Sequence, residues 1–382
     1  YCSKWILIGL NIMNTKKLNL AVITLSALFI ITFSSLAYAV LSDSVGNLKT
    51  CGEGKTYGEE SDACGGACAT NASGAILLAS NGMPYDADNS AAYRDSCNMI
   101  PDQYRVTLYK GGLCTADPYS ASGATVDYTT NCDLFFTDES GKVITLTNQG
   151  DGTATASPSL VENGINLGIK TYTHAFMLMS NHLQVKHDQV YDFTATSTAS
   201  AMRGGGDSIT TGTTCWTIDR TSTFSNLDGT TGSNHGDVDL RTGEGTAAET
   251  STKCGSATDG TFDYATEIIE TFGEASGNWN VSNVVARWPY AASSVGGGNK
   301  AAILLQSDFE TVATNMENGE VLLYAVSLTS PLIITENTTQ FNIGFGLSGS
   351  VSVDFTTLDG SDKFLLISKH GADPVDILFT AN

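Results

Sequence analysis

From Gln103 onward the chain alternates apolar and polar positions with a period of two. In QYRVTLYKGGLC, Tyr104, Val106 and Leu108 share one side, so one face is buried and the other is wet. Gly111-Gly112 then predicts a turn. KVITLTN, THAFMLMSNHLQVKH, EVLLYAVSL, PLIITENTTQFNIGF, SGSVSVDF, DKFLLIS and VDILFTAN read as further strands, and Asn318-Gly319 ahead of EVLLYAVSL reads as a hairpin turn. Helical spacing occurs in GTFDYATEIIETFGEAS, where Phe262, Ala265, Ile268, Ile269 and Phe272 recur, with Asp263 near the start. The same residues also divide into two strands. Short strands separated by Gly, Asn, Asp and Ser predict an all-β, antiparallel sandwich or jelly-roll-like fold with at most one or two short helices. No repeat period emerges.

The N-terminal pattern is different. Leu18 to Phe33 is mostly apolar, Met13-Asn14-Thr15-Lys16-Lys17 in front of it carries two positive charges, and Ala37-Tyr38-Ala39 follows it. Charged start, apolar middle and an A-x-A end define a secretory signal, with cleavage after Ala39. Residues 1–12 then precede a start at Met13, and 13–39 are the leader. A retained membrane helix is the rival, since the run approaches the ~20 residues that cross a bilayer. Asn19, Thr24, Ser26, Thr32, Ser34 and Ser35 dilute it, and no basic cluster follows. The predicted product is secreted, extracellular or at the cell surface, with the periplasm an alternative.

Composition sharpens this picture. The formal net charge is −21, and the first 39 residues hold Lys4, Lys16 and Lys17 with no acid, so the remaining chain is more acidic still. Such a surface repels phosphate backbones, which excludes nucleic acid as a partner. Without Cys2 eight cysteines remain: Cys51, Cys64, Cys68, Cys97, Cys114, Cys132, Cys215 and Cys254. An even count in an exported chain predicts disulfides, whereas zinc is disfavoured by the lack of any C-x-x-C pair. Cys215 with Cys254, isolated from the other six, is the first expected pair, worth about 4 kcal/mol by chain entropy. Cys114 with Cys132 is the second. Six cysteines fall in 40–165 and two in 166–382, which suggests a cysteine-rich β region and a β-sandwich region, divided near GDGTATASPSLVENG.

Motifs that carry chemistry are few. Gly344-Phe345-Gly346-Leu347-Ser348-Gly349 matches G-x-G-x-x-G, but a dinucleotide site needs a helix next, and Ser350 to Phe355 alternates as a strand. No G-x-S-x-G, H-E-x-x-H or P-loop occurs, and no catalytic residue is assigned. His182 and His187, the closest of His174, His182, His187, His235 and His370, fall on opposite faces of one strand; the histidines read as polar residues at strand edges or turns. Asp228, Asn234, Asp237, Asp239 and Glu244, hard oxygen ligands among glycines, are a calcium candidate, although the register of known calcium loops is missing. A long solvated loop is the competing reading.

Trp288 and Tyr290 share a face if NWNVSNVVARWPY is one strand, which makes them a candidate platform for sugar rings. N-x-[ST] matches stand at Asn71, Asn280 and Asn337. In composition the chain is similar to exported surface, fimbrial and S-layer-like proteins, a resemblance that rests on no diagnostic motif. Three functions follow as expectations. The first is a non-enzymatic structural or adhesive protein that assembles through strand edges. The second is a carbohydrate-binding module, and the third a secreted hydrolase acting through paired carboxylates. The expected partners are further copies, cell-surface components or glycans, with no membrane once the leader is removed, and calcium is the only cofactor suggested.

Overall fold

A computed structural model describes residues 8–11, 68, 70–78, 96–119, 124–150, 152–157, 167–194, 200–204, 210–223, 251–270, 272, 274–275, 278–279, 284–289, 299–347, 349–356, 364–373 and 375–381. The first strands are β1 (Ile8–Asn11), β2 (Ile76–Leu77), β3 (Ser96–Met99), β4 (Gln103–Cys114), β5 (Cys132–Asn148), β6 (Thr153–Ser157), β7 (Thr171–Ser180) and β8 (His182–Lys186). They are followed by β9 (Asp188–Asp192), β10 (Ala201–Gly204), β11 (Thr210–Gly212), β12 (Thr214–Thr217), β13 (Arg220–Thr223), β14 (Thr252–Gly255), β15 (Ala265–Ile268) and β16 (Glu274–Ala275). The last are β17 (Asn278–Trp279), β18 (Val285–Pro289), β19 (Asn299–Leu305), β20 (Val321–Ile333), β21 (Gln340–Gly346), β22 (Val351–Thr356), β23 (Phe364–Ala372) and β24 (Asp376–Ala381). The described residues are thus almost all strand, with one short 3-10 turn at Met316–Asn318.

The main sheet runs β21-β6-β5-β4-β7-β20-β19-β18, with β24 and β1 also on β21 and a branch through β8, β15 and β13. It crosses the stretch 150–164, so strands from before and after it share one sheet. A five-stranded sheet, β11-β10-β23-β22-β3, and a four-stranded one, β14-β12-β9-β2, lie beside it. Most pairs are antiparallel as expected, but β10 with β23, β13 with β15 and β2 with β9 are parallel, so the sheets are mixed.

The core explains the strand pattern. In β7 every residue from Ala175 to Met179 is buried, because both faces are covered. Ala175, Met177 and Met179 join Leu304, Tyr324, Phe341 and Phe379 in one cluster. Phe176 and Leu178 face the other way, onto Tyr119, Tyr128, Ile303 and Leu323. Each large side chain buried this way contributes about 1.5–3 kcal/mol. β4 keeps the one-sided alternation, with Tyr104, Val106 and Leu108 buried.

Two local expectations are corrected, and one open alternative is decided. Gly111-Gly112 is no turn: β4 continues through it to Cys114, with register shifts that mark bulges. A Cβ on Gly111 would lie 2.6 Å from Phe135 and one on Gly112 2.5 Å from Phe176, so the glycines serve close packing of aromatic rings. Asn318-Gly319 forms no primed hairpin, since Gly319 has φ −85°. Instead Asn315 and Asn318 cap the 3-10 turn reciprocally before β20. The helical spacing at 262–272 yields strand β15, where Ala265, Thr266 and Glu267 are successively buried between β13 and β8. Tertiary burial on both faces overrides the helical period.

β7 and β8 form one run that forks at Asn181. Leu108 to Cys114 of β4 pair with β7, while Gln103 to Arg105 pair with β8. Beyond the fork β7 continues to β20 and β8 to β15. Asn181 is buried in the crotch and donates from Nδ2 to the carbonyls of Ile269, at 3.1 Å, and Gly319, at 3.0 Å. One side chain thereby ties the two branches together.

Candidate functional site

The cysteines come together as disulfides. Cys114 bonds Cys132 across directly paired positions of β4 and β5, and Cys215 bonds Cys254 across β12 and β14. Cys68 bonds Cys97, a pair that spacing did not single out. Cys51 and Cys64 lie outside the described residues.

Asp228, Asn234, Asp237, Asp239 and Glu244, the calcium candidates, also lie outside the described residues, as do Tyr290 and His235. Trp288 is in β18, in register with Lys300 of β19. Among the described residues no group of three or more His, Cys, Asp or Glu is arranged to hold a metal ion. Among them, too, no helix is long and apolar enough to cross a membrane. The G-x-G-x-x-G run ends β21 and turns through Gly349, at φ 74°, into strand β22 rather than a helix.

The histidines depart from their expected place at edges and turns. His182 is exposed, but His187 and His370 are buried and meet edge to face, with ring centroids 5.7 Å apart. His187 sits between β8 and β9 and His370 on β23, so their meeting depends on packing of sheets that no local spacing reveals. His370 Nδ1 pairs with Thr252 Oγ1 at 2.7 Å. Among the described residues His370 Nε2, both ring nitrogens of His187 and the Ser251 hydroxyl have no hydrogen-bond partner.

Around this pair the polar groups are buried but ordered. The Thr217 hydroxyl accepts from the His187 amide at 3.1 Å and donates to the Asp263 carbonyl at 2.6 Å. Glu267 of β15 accepts from the Ala372 amide of β23 at 2.5 Å, which joins the main sheet to the five-stranded one. Gly371 permits that approach: a Cβ there would stand 2.5 Å from the Ser352 hydroxyl and 3.2 Å from the Glu267 carboxylate.

Burial sets the charge states. It depresses His187 to about 4, and depresses His370 well below the usual imidazole range, where the neighbouring His187 adds to the effect. Burial, then the charges of Asp373 and Glu267, push the Tyr104 phenol well up. Both imidazoles are therefore neutral at ordinary pH. Closed from solvent, the cluster fits a structural seam between sheets better than a place where substrate is turned over.

A second feature is backbone rather than side chain. β24 pairs with β21 from Phe341 to Gly346. Among the described residues, β6 on the opposite side covers Phe345 and Gly346 alone, and Gln340 to Ile343 pair antiparallel with β1. In that register Leu10 stands opposite Phe341 and Ile8 opposite Ile343. Phe341 and Ile343 are core residues, whereas Asn342 between them accepts at Oδ1 a hydrogen bond from the Gln340 side-chain Nε2 at 2.8 Å. The half-edge at Gln340 to Ile343 thus accepts a strand that alternates apolar and small or polar residues.

No family model matches the chain, and neither a curated protein nor a solved structure matches it.

Proposed function

We propose that this chain is an exported, non-enzymatic structural or adhesive protein of the extracellular space or cell surface, which associates through strand edges. The reading is carried by the three disulfides that staple its strands, since such bonds form and persist in oxidising compartments. The charged start, apolar run and Ala37-Tyr38-Ala39 end agree with export. The strand-built body supplies backbone edges, the feature through which β proteins add further strands.

The test is to recover the protein from a secreting host. Mass spectrometry should find residues 1–39 removed and the thiols oxidised. Electron microscopy and light scattering, with and without calcium, should find oligomers or fibres. Free sulfhydryls on an unprocessed chain, or monodisperse monomers at every concentration in both conditions, would overturn the proposal.

A further inference from the structure

We infer that the half-edge at Gln340 to Ile343 of β21 is a self-association surface, and that its occupant is the same segment of a second copy, paired antiparallel about a two-fold axis through Asn342. This inference rests on the exported, edge-associating reading above.

The strand that covers this half-edge is β1, whose residues Ile8–Asn11 precede the leader, so a product beginning at Val40 lacks it. Gln340 to Ile343 then present a row of backbone donors and acceptors flanked by β6. Such a row is satisfied equally well by water or by another strand, and only the second also covers the apolar side chains beside it.

Among the described residues the main sheet has three other ends, and β13, which ends the branch, is only four residues long. β18 terminates in Pro289, which lacks the N–H a neighbouring strand needs. β24 has β20 packed beside it. The half-edge of β21 carries neither device.

Chemistry then selects the occupant. β1 matches this edge by placing Ile8 and Leu10 opposite Ile343 and Phe341, with Gly9 opposite Asn342. Side chains alternate faces along a strand, so a partner must repeat apolar, small or polar, apolar. Phe341-Asn342-Ile343 of a second copy does so when Asn342 faces Asn342. Phe341 then lies opposite the partner's Ile343 and Ile343 opposite the partner's Phe341. A one-residue slip would oppose Phe341 to Asn342 and place apolar against polar on both faces. The contact is self-complementary, as a two-fold interface requires.

Four versions of the processed protein, the parent and three variants, decide the matter. Light scattering over a concentration series should show a monomer–dimer equilibrium for the parent. Asn342→Asp puts like charges directly opposite and should weaken dimerisation at neutral pH by about tenfold or more, with recovery in high salt. Asn342→Cys should yield a covalent dimer on a non-reducing gel under mild oxidation. Val143→Cys, at an exposed position on β5, should not. Thermal unfolding of each variant checks that the fold is retained.

If the parent dimerises but Asn342→Cys cross-links no better than Val143→Cys, another edge is used; this inference falls and the edge-associating reading stands. Dimerisation unchanged in a folded Asn342→Asp has the same meaning. A parent that stays monomeric throughout removes both.

Discussion

His187 and His370 meet edge to face at 5.7 Å between centroids, and three of their four ring nitrogens have no hydrogen-bond partner among the described residues. Two neutral imidazoles pack here as apolar rings would. The pair makes stability depend on pH in a defined direction. His187 has a folded value of about 4 against 6.5 when unfolded, so the unfolded chain binds more protons between them. Stability is complete above about 6.5 and declines as pH falls toward 4, by up to about 3 kcal/mol from His187. Urea unfolding at a series of pH values measures this. His187→Phe should make the profile shallower across that window, His370 keeping its own share of the slope, and an unchanged profile would show that other groups set it.

Asn181 holds the fork between β7 and β8 by donating both hydrogens of one amide. Asn181→Ala leaves the Ile269 and Gly319 carbonyls unpaired in a buried place and should cost about 2–3 kcal/mol. Hydrogen exchange should localise the loss to the amides of β15 and the start of β20. Uniform loss across the molecule would mean the fork is not a separate point of weakness.

Gly111 and Gly112 stand under Phe135 and Phe176. Either glycine changed to alanine forces a ring out of place and should destabilise by about 1–3 kcal/mol. Gly260→Ala, where a Cβ meets nothing within 4 Å, is the control and should stay within about 0.5 kcal/mol of the parent. Denaturant midpoints for the three variants separate steric packing from a general intolerance of substitution.

Asp133 gathers donors from Tyr172, from the Lys170 amine at 2.9 Å and from the Gly168 amide at 3.0 Å. Burial raises its carboxyl, but these bonds outweigh burial and hold it below the usual range. A depressed carboxylate adds stability that is present above its unfolded value and lost as pH falls through the folded one. Tyr172→Phe should raise the Asp133 value and cost about 1–2 kcal/mol at neutral pH. Carboxyl chemical shifts in an acid titration follow the first effect, and unfolding at pH 7 the second.

How much of this was legible beforehand depends on the range of the interaction. Tyr104, Val106 and Leu108 show their face in the sequence because a period of two is local. Cys215 and Cys254 found each other because they stood apart from the rest of the cysteines. Gly111-Gly112 misled because a turn and a close aromatic approach ask for the same residue. Ala265 to Ile269 left helix and strand both open because burial on both sides erases the period that distinguishes them. The His187–His370 contact and the Asn181 fork left no local trace, since each is made by strands far apart in the chain.

The Cys114–Cys132 bond has a practical corollary. It joins β4 to β5 beside Tyr119, Val126 and Tyr128, which lie like a flap over Phe176, Leu178 and Leu323. Made in a reducing cytosol, the chain would lose that bond, and the flap could swing away from a greasy stretch of sheet. Insoluble product is the outcome to expect there, whereas oxidative production keeps the flap shut.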